Sequence, residues 1–180
     1  MKRNISKIKL LISDVDGVWT DGSIYIGNNH TQIPLEIKKF SVLDGVGIAM
    51  AKAADIKVAL ISGRYSKATE VRAKELKIKE LYNGSLNKLP VYENLKKKYR
   101  LIDSQIAYVG DDLIDLPVME KAGFPIAVAN ANDKVKDLSV YITKAFGGQG
   151  AFREAIEWIL IRQGRFNEVL SIMEQNVKKM

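Results

Sequence analysis

The chain has no cysteine and a single histidine among its 180 residues. Without thiols there can be no disulfide and no thiolate metal site. The lone histidine, His30, falls in the polar stretch Gly27-Asn28-Asn29-His30, which reads as a turn. Neither histidine-based catalysis nor a zinc site has support. No continuous apolar run approaches the length that a bilayer crossing needs. The start, Met1-Lys2-Arg3-Asn4, is basic but leads into a short strand rather than into the apolar core and cleavage site of a signal peptide. These absences set an expectation of a soluble, unexported, cytoplasmic protein with no membrane partner.

What is present suffices for one core. Hydrophobic residues make up 47% of the chain, which at this length predicts a single domain over residues 1–180. Lys+Arg number 28 against 21 Asp+Glu, a formal charge of +7. That balance suits either a nucleic-acid binder or a protein that handles small anions. The lysines are scattered over amphipathic segments, with modest runs at Lys96-Lys97-Lys98 and Lys178-Lys179. Such runs read as solvated helix faces, and no nucleic-acid recognition motif accompanies them.

Short apolar runs alternate with amphipathic stretches, the pattern of a parallel sheet covered by helices. Strands are expected at 8–13, 57–61, 80–82, 106–109, 125–129 and, more weakly at an edge, 140–143. Helices are expected at 46–54, 67–76, 89–99 and 113–122, with a helical tail over about 150–177. Residues 24–26 and 33–40 flank the turn and read as a β-hairpin after the first strand. The order predicts a three-layer α/β sandwich around a mainly parallel, Rossmann-like sheet. In such sheets, sites gather beyond the carboxyl ends of the strands.

The polar residues sit at those ends. The first strand runs out into Asp14-Val15-Asp16-Gly17, two carboxylates two residues apart before a glycine. Such a pair can divide labour, one ionised as nucleophile and cation ligand, the other carrying a proton. An ordinary strand exit would also use Asp and Gly. Ile61-Ser62-Gly63-Arg64 offers a hydroxyl and backbone N–H groups to a phosphate at a helix start, or merely an N-cap. Lys88 opens a helix, where its charge opposes the macrodipole unless an anion faces it. Gly110-Asp111-Asp112-Leu113-Ile114-Asp115 crowds three carboxylates at a strand end, which suits a hard metal, although acidic capping accounts for one or two of them.

As a set, Asp14-Val15-Asp16-Gly17, Ser62, Lys88 and Gly110-Asp111-Asp112 with Asp115 resemble the four motifs of the haloacid dehalogenase superfamily of phosphatases. The resemblance implies Mg²⁺ as cofactor and Asp14 as the nucleophile that forms a phospho-aspartate. It implies Asp16 as proton donor and then base, its main-chain carbonyl facing the metal beside Asp14 and Asp111. Ser62, Gly63 and Lys88 would hold the phosphoryl group, with Asp112 and Asp115 acting through water or on Lys88. The chain has room for the hairpin but not for a cap domain. Further matches point to the capless 3-deoxy-D-manno-octulosonate 8-phosphate phosphatases. They include Asp16-Gly17-Val18-Trp19-Thr20-Asp21-Gly22, Lys39-Phe40-Ser41-Val42 with Asp44-Gly45, and Gly147-Gly148-Gln149-Gly150-Ala151. This subfamily implies a homotetramer with shared active sites, and Arg64 and Arg72 as contacts to an acidic sugar, Arg72 across a subunit interface. Leu43 stands where these enzymes typically carry arginine. The sister nonulosonate 9-phosphate phosphatases are the nearest alternative, and a non-catalytic oligomerisation module is another.

Overall fold

Strand β1 (Leu10–Ser13) is buried at every position, as are β6 (Ile106–Gly110) and β7 (Phe124–Ala127). Strands covered on both faces carry continuous apolar runs instead of an alternation, which is why Leu10-Leu11-Ile12 has no polar position. The computed structural model describes residues 5–28 and 34–179. In it, β4 (Lys57–Ser62), β5 (Glu80–Asn83) and β8 (Tyr141–Ile142) complete a six-stranded parallel sheet of order β5-β4-β1-β6-β7-β8.

Helices α1 (Val42–Ala53) and α2 (Lys67–Glu75) step the chain outward from β1 through β4 to β5. Helix α3 (Leu89–Lys98) returns it across the sheet to β6, and α4 (Leu116–Met119) and α5 (Asp133–Leu138) step outward on the other side. Right-handed crossovers in opposite directions put the two sets of helices on opposite faces. Helices α6 (Ala151–Arg162) and α7 (Phe166–Val177) pack on α1. The architecture is the expected three-layer α/β sandwich. The strand order reverses between β1 and β6, which is where open α/β sheets place their sites.

The hairpin forms a separate two-stranded antiparallel sheet of β2 (Tyr25–Asn28) and β3 (Pro34–Ile37), with Tyr25 opposite Ile37. It leads directly into α1, with no cap domain. Strand β3 is shorter than expected, because the chain leaves the ladder at Lys38 to turn that side chain inward, whereas β2 starts one residue later than expected and runs two residues further, to Asn28. The turn with His30, Ile33 and the start Met1–Asn4 lie outside the described residues.

Other boundaries differ from the sequence expectation as well: β1 starts two residues later and β7 runs over 124–127 instead of 125–129. Helix α1 starts at Val42, four residues earlier, because the Ser41 hydroxyl caps it by accepting from Leu43 N at 3.2 Å. Gly45 and Gly47 weaken helix propensity and hid that turn. Gly47 is required by packing, since a Cβ there would lie 2.9 Å from Arg153 Cα on α6. Residues 113–122 form a 3₁₀ turn, Leu113–Asp115, and the four-residue α4, because the Asp115 carboxylate folds back onto Asp111 N and Asp112 N. The edge strand β8 shrinks to two residues. Among the described residues, no helix is long and apolar enough to cross a membrane.

Candidate active site

The Asp14 amide donates to Val109 O at 2.9 Å, carrying the β1–β6 ladder one residue beyond the strand. The backbone then coils tightly, with the N–H groups of Val18, Trp19 and Thr20 all directed at Val15 O. Gly17 takes φ +85°, a left-handed conformation that disfavours side chains. A Cβ there would also collide with the Asp111 carboxylate. From below, Gly147 packs so closely on the Gly17 carbonyl that it too admits no Cβ. The glycine-rich segment after β8 therefore buttresses the loop that carries Asp14 and Asp16.

Lys88 occupies the N-cap position of α3 and is 1% exposed. Its Nζ lies 2.7 Å from Asp115 Oδ1 and 2.7 Å from Asp14 Oδ1. The Asp115 contact is an aligned hydrogen bond, whereas the Asp14 contact is an ion pair by distance without that alignment. Two carboxylates thus supply the anion that a lysine at a helix start calls for. Burial works against the Lys88 ammonium, but Asp14 and Asp115 outweigh it and hold the group charged. Asp115 also accepts from Tyr108 OH at 2.6 Å and from the amides of Asp111 and Asp112, so both its oxygens are committed. Asp112 caps the 3₁₀ turn through Leu113 N at 2.7 Å.

Carboxylate oxygens of Asp14, Asp111 and Asp115 lie within 4.8 Å of one another. Burial, then repulsion from Asp115, pushes the Asp14 carboxyl up to about 7 against the pull of Lys88. Burial, then the charges of Asp14 and Asp115, pushes Asp111 up to about 8. One ammonium does not balance three acids, and Asp111 Oδ1 is buried with no hydrogen-bond partner. An all-oxygen donor set with uncompensated negative charge fits a hard divalent cation. Of the three acids, Asp14 and Asp111 have oxygens to offer it. The Asp16 carboxylate is not part of this cluster; it accepts from Lys38 Nζ at 2.6 Å.

Ser62 ends β4 and is fully buried, but it does not start a helix. A four-residue loop intervenes, and the N-cap of α2 is Ser66, accepting from Thr69 N at 3.3 Å. The Ser62 hydroxyl donates to Arg64 O at 2.7 Å and accepts from Arg64 N at 3.3 Å, closing that loop. Asp14, Asp16, Asp111, Asp112, Gly63 and Arg64 line one cleft of about 420 Å³, with Ile24, Leu86 and Ile114 as its apolar portion. Lys88 and Asp115 support it from beneath. Arg72 is not in this cleft; it donates to Ser41 O at 3.0 Å and to Glu75 at 2.9 Å. Sequence reasoning missed Lys38 and Tyr108. Tyr108 read as one more residue of the core strand 106–109, and Lys38 as one more residue of the hairpin strand 33–40.

The family model described as haloacid dehalogenase-like hydrolase matches residues 35–150. The chain is similar to the 3-deoxy-D-manno-octulosonate 8-phosphate phosphatase KdsC of Escherichia coli (strain K12), 47% identical over 161 residues, which cover 89% of this chain and 84% of that protein. Among solved structures, it resembles the 3-deoxy-D-manno-octulosonate 8-phosphate phosphatase of Moraxella catarrhalis in complex with a magnesium ion, a phosphate ion and KDO. That match has a TM-score of 0.85 and 40% identity, covering 93% of this chain and 94% of the other. The Yersinia pestis phosphatase of the same name matches with a TM-score of 0.85 and 43% identity, covering 91% and 86%.

Proposed function

The chain belongs to the haloacid dehalogenase-like hydrolase family, and from that premise we propose that it is a cytoplasmic, Mg²⁺-dependent phosphatase of 3-deoxy-D-manno-octulosonate 8-phosphate. The observation that carries this reading is the buried cluster of Asp14, Asp111 and Asp115 around Lys88 at the switch point of the sheet. Asp14 attacks phosphorus, and the bond from phosphorus to the sugar oxygen breaks as the bond to the carboxylate forms. Asp16 gives its proton to the departing alkoxide. It then takes one from the water that attacks the phospho-aspartate, which releases inorganic phosphate and restores Asp14. Lys88, Ser62 and the Gly63 amide hold the phosphoryl oxygens, where charge accumulates in the transition state. Mg²⁺, held by Asp14, Asp111 and the Asp16 carbonyl, supplies further neutralisation of that charge when bound. Asp115 fixes Lys88, and Asp112 fixes the turn behind it.

Arg64 stands on the cleft for the polar end of the substrate, and Arg72 would serve a sugar carboxylate from a neighbouring subunit. Losing one such charge-assisted contact costs about 1.5–3 kcal/mol, so Arg72→Ala should raise KM for the acidic sugar roughly ten- to a hundredfold. Hydrolysis of a small aryl phosphate should barely change. A phosphate-release screen tests the substrate directly. The octulosonate 8-phosphate should exceed nonulosonate 9-phosphates and neutral sugar phosphates in kcat/KM. A better nonulosonate substrate would overturn the sugar assignment and leave the phosphatase assignment standing. Leu43, in place of the typical arginine, is the residue that makes this screen informative.

The active form in this reading is a homotetramer. The hairpin and its approach leave Ile24, Tyr25, Ile26, Leu35 and Ile37 between 43% and 75% exposed, apolar surface that a monomer would hold in water. Packing of hairpins between copies would bury it and shelter the cleft from water. Sedimentation should give four times the 20.1 kDa chain mass, and a monomer at micromolar concentration would contradict the assembly.

A further inference from the structure

Among the described residues, Lys38 carries the one side chain that joins the hairpin to the proposed acid/base. It follows β3 directly, and its side chain is 0% exposed. A lysine is seldom fully buried unless an anion holds it. Its Nζ donates to Asp16 Oδ1 at 2.6 Å and lies 3.9 Å from Glu36 Oε1. Glu36, on β3, in turn accepts from the Arg64 guanidinium and from the Ser66 hydroxyl. Asp16, Lys38, Glu36 and Arg64 therefore alternate in sign along a chain of contacts. That chain ties the loop after β1 to the hairpin and the hairpin to the loop after β4.

Every residue of β2 is exposed, so apolar burial within the chain does little to seat this hairpin. The polar chain from β3 does it instead. Among the described residues, Lys38 is also the only hydrogen-bond or ion-pair partner of the Asp16 carboxylate, whose side chain is 28% exposed. Without that contact, rotation about two side-chain bonds would be free to carry the carboxylate out of the cleft.

We propose that Lys38 is a positioning residue for proton transfer. Its ammonium occupies Asp16 Oδ1, which holds the carboxyl in the cleft and leaves Oδ2 as the atom that carries the proton to the leaving oxygen. Glu36 completes the device by fixing Lys38 and by anchoring the hairpin to Arg64 and Ser66. Proton delivery thereby depends on the seating of the hairpin. The inference rests on Asp16 being the acid/base of a phosphatase and does not depend on which sugar is the substrate.

The test compares leaving groups in Lys38→Met and Lys38→Arg. An alkyl phosphate that the wild type hydrolyses needs a proton at its leaving oxygen, whereas p-nitrophenyl phosphate releases a stable anion without one. In Lys38→Met, kcat on the alkyl phosphate should fall about a hundredfold with little change in KM, in line with loss of a well-placed general acid. The first-turnover burst of p-nitrophenolate should slow less than about tenfold. Lys38→Arg should recover most of the alkyl rate. Equal losses on both substrates in the first turnover, or a change confined to KM, would overturn the proposal. Should Lys38→Met fail to fold by circular dichroism, Glu36→Gln carries the test, since it keeps the ammonium and loosens its anchor. That variant should show the same leaving-group signature at smaller amplitude, and equal slowing of both substrates would overturn the proposal as well. A wild type that hydrolyses neither substrate would instead sink the phosphatase reading beneath it.

Discussion

Replacing Lys88 by Met should destabilise the protein by about 3–5 kcal/mol and abolish turnover, the largest stability loss expected of any single polar change here. The side chain is 0% exposed and is the only cation within ion-pair distance of either Asp14 or Asp115 among the described residues. Methionine fills the space but leaves two buried carboxylates facing each other. Asp115 keeps Tyr108 and two backbone amides, so the unrelieved charge falls on Asp14. The deficit should depend on pH in a definite direction. Burial already holds Asp14 up near 7 with Lys88 in place, and losing the ammonium raises it further. A carboxyl whose folded pKa is raised costs stability above its unfolded value and regains it as pH falls and the folded form takes up the proton. Urea unfolding at about pH 6 and pH 8 should therefore show the smaller loss at the lower pH. A loss independent of pH would mean that packing, and not charge, explains the variant.

Asp14→Asn should act in the opposite direction on stability while being at least as severe on activity. The amide removes the nucleophile and one cation ligand, so kcat should fall by on the order of 10⁴ or more. The fold should persist with an unfolding midpoint no lower than that of the wild type. The substitution removes one of three mutually repelling acids from a site where burial already opposes their charge. Such a trade between stability and activity is what a site built for function produces. Turnover at the wild-type rate would end the phospho-aspartate account.

Much of this architecture was legible in the sequence because burial on two faces leaves a strong trace. Leu10-Leu11-Ile12 and Ile106-Ala107-Tyr108-Val109 can only be interior strands, and carboxylates straight after such runs must answer to something. The acids could be singled out for that reason, while Ser62 and Lys88 were weak signals alone and stood out through the family resemblance of the whole set. Local signals failed where a tertiary contact decided the outcome. The first turn of α1 was hidden by Gly45 and Gly47, the latter being glycine because α6 lies against it. The residues after Asp112 read as a long helix because their apolar spacing does not register a carboxylate folding back onto two amides. Lys38 was invisible for a related reason. Nothing in Ile37-Lys38-Lys39 says which lysine turns inward, since the answer lies 22 positions away at Asp16. Arg72 is a case of another kind: within its own chain it meets Ser41 and Glu75, and the sugar carboxylate proposed as its partner belongs to a neighbouring subunit's cleft.

The central claim is that phosphate passes through a covalent bond to Asp14. The direct measurement is a rapid acid quench of the enzyme during turnover of 3-deoxy-D-manno-octulosonate 8-phosphate with Mg²⁺, followed by peptide mass spectrometry. The account predicts an acid-stable, base-labile phosphoryl group on the peptide carrying Asp14-Val15-Asp16, absent when Mg²⁺ is withheld and absent in Asp14→Asn. Steady release of inorganic phosphate with no phosphorylated peptide at any quench time, or a phosphoryl group on another residue, would contradict it.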